Sequence, residues 1–223
     1  MKQVGVILAG CGFLDGAEIY ESVLTLYHLD KEGIPYQCLA PDIPQMHVVD
    51  HATGQPTTEQ RSVFTEAARV ARGAIQKLDN SWIDKLDAFI FPGGFGAAKN
   101  YCDYAVKGDN CAMHPVMESF MTKCVESGKP VGVICIAPLV LARALRGKDI
   151  HPTLTIGDAE GAAASVETFG SKHQACPVTE IVIDRKHSIV STPAYMYNTH
   201  IADVSQGIEK LVKQVISFMN ESA

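Results

Sequence analysis

The chain has 223 residues, 47% apolar and 20% charged, and carries a formal charge of -6 from 25 acidic and 19 basic residues. Those proportions exclude a disordered tail, a collagen-like repeat and a disulfide-stapled miniprotein. No Lys- or Arg-rich stripe is available to neutralise phosphates, so nucleic acid is not an expected partner.

A chain of this length buries roughly 70% of the surface its unfolded form exposes, so one domain over residues 1–223 closes its core without metal or crosslink. The apolar run at 4–8 reads as a buried first strand. Leu8-Ala9-Gly10-Cys11 has the shape of a lipoprotein cleavage box, but a leader needs an apolar stretch of about 7 to 15 residues, and the run from Val4 to Ala9 is too short. A cytoplasmic protein is expected. A helix over 16–32 follows, closed by Gly33, then a strand at 36–39. Residues 41–58, with three Pro, two His and weak periodicity, read as an irregular insertion that shapes a site or a contact. Next come a helix within 59–72, a strand at 88–91, a helix at 114–127 closed by Gly128, a strand at 131–134 and a helix at 137–145. Strands at 154–156, 180–183 and 188–191 follow, the last two forming a hairpin around Asp184-Arg185-Lys186-His187, and a helix over 201–220 ends the chain. The first strands are apolar on both faces, as parallel strands covered by helices must be. The expected fold is an α/β, doubly wound, mostly parallel sheet with helices on both faces. No apolar run reaches the 18 or so residues of a membrane span.

Seven cysteines stand at positions 11, 38, 102, 111, 124, 135 and 176. None is in C-x-x-C spacing and no His pair completes a zinc pattern, so no metal is expected. Reduced thiols in a cytosol are the reading, most of them small core residues.

In such a sheet, ligands bind at the carboxyl ends of strands near the point where strand order reverses. Three strand ends here carry polar or Gly-rich turns. Cys135, in Val133-Ile134-Cys135-Ile136-Ala137-Pro138, ends an apolar strand and turns at once into a helix, a placement that lifts the thiol out of the sheet and favours its thiolate. The competing reading is a buried core Cys, and Cys11, also at a strand end, is the rival nucleophile. Gly93-Gly94 lets backbone approach a ligand closely, and the N–H groups of Gly94 and Ile136 are candidate oxyanion donors. As a dinucleotide fingerprint the Gly93–Asn100 stretch fails, because Lys99 stands where the last Gly or Ala belongs. Glu18 and Glu21, one turn apart, share a helix face; either, if desolvated beside the thiol, is an acid/base candidate, and a solvated helix face is the alternative. His151, His173, His187 and His200 are followed two residues later by Thr, Ala, Ile and Ala, so the H-x-E of a glutaminase triad is missing.

Ile7-Leu8-Ala9 with Gly16-Ala17-Glu18-Ile19-Tyr20-Glu21, Pro92-Gly93-Gly94 and the Cys135 turn resembles the PfpI and class I amidotransferase-like superfamily. Leu8-Ala9-Gly10-Cys11-Gly12, Asp15-Gly16, Pro92-Gly93-Gly94-Phe95-Gly96-Ala97-Ala98-Lys99-Asn100, Cys135-Ile136-Ala137-Pro138 and Ser191-Thr192-Pro193-Ala194-Tyr195-Met196 are more closely similar to the ElbB family, the enhancing lycopene biosynthesis proteins, nearly end to end. The resemblance implies a flavodoxin-like fold, a homodimer, a link to isoprenoid biosynthesis, and cofactor-free conversion of glyoxal to glycolate, with other small 2-oxoaldehydes as further substrates. Carried over by position, it implies Cys135 as nucleophile, Glu21 as buried acidic partner, and Gly94 and Ile136 as donors; the superfamily's histidine has no clear counterpart here, and His173 is the candidate for it. The elbow departs from G-x-C-x-G. Two other functions are compatible with the same cysteine: a redox or stress-response regulator, and a glutamine amidotransferase-type subunit.

Overall fold

The computed structural model describes residues 2–221. The chain runs β1 (Val4–Ile7), α1 (Ile19–Lys31), β2 (Tyr36–Ala40), β3 (Val49–Asp50), β4 (Gln55–Pro56), α2 (Val63–Val70), β5 (Ile75–Lys77), α3 (Trp82–Lys85), β6 (Ala88–Phe91) and a π-helix (Ala97–Tyr101). It continues through α4 (Tyr104–Lys107), α5 (Pro115–Glu126), β7 (Val131–Ile134), α6 (Ala137–Leu145), β8 (Thr153–Leu154), α7 (Glu160–Thr168), β9 (Lys172–His173), β10 (Val182–Asp184), β11 (Ile189–Thr192) and α8 (Ile201–Glu221).

Seven strands form the central sheet in the order β10-β11-β7-β6-β1-β2-β5. All pairings are parallel except β10 with β11, whose hairpin sets Val182 opposite Ser191. From β1 the chain first winds outward through β2 and β5, then returns to the other side of β1 and winds through β6, β7 and β11. The strand order therefore reverses at β1 and β6, and the crevice above their carboxyl ends is where a doubly wound sheet binds its ligand. This is the flavodoxin-like arrangement. β1, β6, β7 and β11 are buried along their whole length, as strands covered on both faces must be. α1 packs on α8, and α5 on α6. Gly132 in β7 has no room for a Cβ because Leu211 and Val215 of α8 press on it, the nearest atom at 2.8 Å.

The structure departs from the sequence reading at several places. The segment 41–58 is not wholly irregular: β3 and β4 pair as a short hairpin, Val49 with Pro56. The strand expected at 154–156 begins one residue earlier, is two residues long, and leaves the main sheet to pair with β9. β5 joins the sheet edge from a three-residue segment with one buried side chain, too short for a periodic pattern. α7, Glu-Gly-Ala-Ala-Ala-Ser-Val-Glu-Thr, was hidden by its weak amphipathicity.

Candidate active site

Cys135 stands immediately beyond β7, its N–H donating to the Thr192 carbonyl of β11 at 2.9 Å. The backbone there has φ +61°, a left-handed conformation that non-glycine residues rarely adopt and that concentrates at functional sites. α6 begins two residues later, with Pro138 in its first turn, so its free N–H groups and positive end face the sulfur's side of the sheet. The residue is 7% exposed.

Glu18 and Glu21 separate into two roles. Glu18 is the N-cap of α1, its carboxylate accepting the Glu21 N–H at 2.6 Å, the usual work of an acidic cap. Glu21 lies one turn on and is completely buried. Its Oε2 accepts the Gly93 N–H at 2.8 Å, its Oε1 accepts the Tyr195 N–H at 3.4 Å, and the carboxyl hydrogen-bonds the Cys135 thiol. The N–H groups of Gly94 and Ile136 also hydrogen-bond the Cys135 sulfur. The glycines make this convergence possible: a Cβ on Gly93 would sit 2.5 Å from the Cys135 Cβ, and one on Gly94, whose φ is +91°, 2.4 Å from the Glu18 nitrogen.

Burial raises the Glu21 carboxyl from 4.5 to about 8, reinforced by the nearby Glu18 charge and opposed by the Gly93, Cys135 and Tyr195 hydrogen bonds. Burial likewise pushes the Cys135 thiol up, an ionised Glu21 adds to this, and the Gly94 and Ile136 N–H groups pull it down. The two groups are thus one coupled system. With Glu21 protonated, the repulsion from its charge disappears and its O–H becomes a third donor. Three donors around sulfur favour a thiolate only once Glu21 is neutral, whereas burial and an ionised Glu21 both hold the proton on Cys135. Glu18 is also raised by burial, against the N–H groups of Glu21, Tyr20 and Ile19.

The sulfur opens into a pocket of about 300 Å³ walled by Phe13, Phe95, Ile136, Tyr195 and Met196, with Glu18 at its side. Among the described residues no histidine lines it. His173 is not brought here: it lies in β9, and its Nε2 meets the Ile156 N–H at 3.4 Å, so its ring is engaged in the small β8–β9 sheet. Cys11, half-exposed, does not line this pocket either. Among the described residues no cluster of three or more His, Cys, Asp or Glu is arranged to hold a metal ion.

The Gly-Gly-Phe-Gly-Ala-Ala-Lys-Asn string has a structural task besides supplying Gly94. Its last four residues, with Tyr101, form the π-helix, a form frequent beside functional sites. Asn100, buried, donates to the Ala9 and Asp15 carbonyls at 3.0 and 2.9 Å and accepts the Met46 N–H at 2.9 Å. Asp15 in turn accepts the Val49 N–H at 2.6 Å. Within the insertion, His51 accepts the Leu14 N–H at 3.3 Å and stacks edge-on against Phe13 with 5.5 Å between rings. The insertion thus braces the pocket wall.

No family model matches this sequence. A human protein named glutamine amidotransferase-like class 1 domain-containing protein 3, mitochondrial, is 41% identical over 96% of this chain and 82% of its own length. A rat protein named ES1 protein homolog, mitochondrial, is 39% identical over 96% and 83%. The chain belongs to the ES1 family of class 1 glutamine amidotransferase-like proteins. Within that family's fold, the crystal structure of an isoprenoid biosynthesis protein with amidotransferase-like domain from Ehrlichia chaffeensis is similar at TM-score 0.89 and 32% identity, over 97% of this chain and 99% of that one. A DJ-1 superfamily protein of Salmonella typhimurium, at 19% identity and TM-score 0.60, shares the fold. The two ES1-type relatives are named mitochondrial, and among the described residues no helix is long and apolar enough to cross a membrane.

Proposed function

We propose that this ES1-family chain is a member of the ElbB group acting as a cofactor-independent glyoxalase on glyoxal and similar small 2-oxoaldehydes in the cytoplasm. The observation that carries the reading is one sulfur hydrogen-bonded by a buried carboxyl and two backbone N–H groups in a small apolar pocket without histidine. In this reading the Cys135 thiolate adds to one aldehyde carbon, and the Glu21 proton passes to the new alkoxide to give a hemithioacetal. The Glu21 carboxylate then removes the hydrogen from that carbon as a proton, leaving an enediolate, and returns it to the neighbouring carbon while the hydroxyl proton passes from the first oxygen to the second. The product is a glycolyl thioester on Cys135, which water cleaves to glycolate and the free thiol. An acid/base near 8 suits both proton deliveries at neutral pH. In this reading the Gly94 and Ile136 N–H groups steady negative charge on sulfur before the attack and on the developing alkoxide afterwards.

A glutaminase-type triad finds no support, because among the described residues no histidine lines the Cys135 pocket. A homodimer belongs to this reading: Ile19, Val23 and Tyr27 stand on successive turns of α1 at 41, 49 and 56% exposure, and sedimentation equilibrium tests it. The decisive measurement of the activity is glyoxal consumption with glycolate formation in the absence of glutathione. Cys135→Ser should abolish it. Turnover retained by that variant, or none in the wild type, overturns the assignment, and in the latter case peroxide-sensitive oxidation of Cys135 would favour the redox-regulator reading.

A further inference from the structure

Away from the Cys135 pocket, a pair of thiols is in contact. Cys102 directly follows the π-helix, and its backbone forms an antiparallel bridge with Met113. Cys111 lies two residues before Met113, so the bridge brings its side chain beside Cys102. The two thiols are hydrogen-bonded to each other. The Cys102 Sγ also reaches the Ala97 carbonyl at 3.7 Å. Arg143 of α6 contacts the Cys111 side chain and its Nε donates to the Cys111 carbonyl at 3.0 Å. The cover over the pair is thin: α4 contains no buried residue, and Asp109 and Asn110 are exposed. Segments of that kind open locally at low cost.

We propose that Cys102 and Cys111 form a reversible dithiol–disulfide pair, with Cys111 the attacking sulfur, Cys102 the resolving sulfur, and a small disulfide such as oxidised glutathione the oxidant. The Cys111 thiolate attacks one sulfur of oxidised glutathione; that S–S bond breaks and one glutathione leaves as thiolate, leaving a mixed disulfide on Cys111. Cys102 gives up its proton and attacks the Cys111 sulfur, releasing the second glutathione. The pair loses two electrons and two protons and the glutathione disulfide gains them. The order of attack follows from the surroundings. The Cys102 hydrogen bond and then Arg143 hold Cys111 down at about 7 against burial, whereas its bond to Cys111 and burial raise Cys102. An attacking thiol close to ambient pH is the most effective one. The closed bond would tie residues 102–111 into one loop and stiffen the segment that follows the π-helix. This inference is independent of the glyoxalase reading.

The test uses the reduced full-length chain incubated with oxidised glutathione, quenched with iodoacetamide, and mapped by peptide mass without reduction. The expected result is a Cys102–Cys111 linked peptide two hydrogens lighter than the separate thiols, reopened by reduced glutathione. Cys102→Ser should stop at the mixed disulfide on Cys111, and Cys111→Ser should leave Cys102 unmodified. Arg143→Met should slow the first step by up to roughly threefold at neutral pH, since lost thiolate is partly offset by higher intrinsic nucleophilicity. Both thiols carbamidomethylated in the wild type, or each carrying its own glutathione, overturns the proposal, whatever the variants do.

Discussion

The buried Glu21 carboxyl makes a prediction that needs no substrate. A carboxyl raised from 4.5 in the unfolded chain to about 8 in the folded one reverses the usual acidic linkage. Its favourable contribution is fully present below 4.5, declines as pH rises because the unfolded chain releases its proton first, and is gone above about 8. At roughly 1.4 kcal/mol per pH unit, that interval corresponds to about 5 kcal/mol, of which about 3 kcal/mol is lost by pH 7. Glu21→Gln removes the titration while keeping the shape. Its amide oxygen can keep the 2.8 Å bond from Gly93, and its NH₂ would face the Tyr195 N–H, whose bond to Glu21 is the longer at 3.4 Å. That mismatch costs about 1 kcal/mol at every pH. Urea unfolding of Cys135→Ser and Cys135→Ser/Glu21→Gln, compared between about pH 5 and about pH 9, isolates the carboxyl from the thiol. The Gln variant should be slightly the weaker in acid and stronger by about 4 kcal/mol in base. A gap between the two that does not change with pH would refute the claim that Glu21 is held neutral by burial.

Other expected outcomes are as direct. Gly94→Ala forces a Cβ to within 2.4 Å of the Glu18 nitrogen at a φ of +91°, displacing a sulfur donor, so turnover of glyoxal should fall about 10²- to 10³-fold; kinetics on the folded variant measure this. Asn100→Ala strands the Ala9 and Asp15 carbonyls and the Met46 N–H, and should cost about 3 kcal/mol in denaturant unfolding with faster proteolysis of the insertion. His173→Ala, at a residue bonded to Ile156 and absent from the pocket, should leave turnover unchanged in the same glyoxal assay. Glu21→Gln with an intact Cys135 should lower that turnover by about 10²- to 10⁴-fold, the range of a lost general acid–base.

How much of this could be read in the sequence depended on whether a residue's role is local. β6, β7 and α6 fall where their apolar runs and Pro138 place them, and the abrupt change from strand to helix at Cys135 exposes the elbow without any tertiary information. Glu18 and Glu21 could not be told apart by helix periodicity, since both face the same way; what separates them is that Glu18 closes back on its own helix start while Glu21 meets Gly93, 72 residues distant. Tyr195, whose N–H reaches Glu21 across 174 residues, left no local signal at all. The Pro193-Ala194-Tyr195-Met196 string was noticed only through a resemblance. Asn100 was visible as the end of an unusual string, but its three partners lie in two other segments. His173 is a candidate without a matching motif around it, and a histidine chosen without a motif carries no geometry.

The crowding of Gly93 and Gly94 against Cys135, Glu18 and Glu21 has a consequence for how such a protein can diversify. Most contacts to the sulfur and the buried carboxyl are made by main chain, and at Gly93 and Gly94 there is no room for even a methyl group. The walls of the pocket, by contrast, are side chains such as Phe13 and Phe95 at 47 and 48% exposure, which can be exchanged without disturbing those turns. Reactivity and selectivity are therefore stored in separate parts of the molecule. A lineage, or a protein engineer, can rewrite which small molecule the pocket admits while inheriting the surroundings of the sulfur intact, whereas an alteration of the inner turns removes both at once.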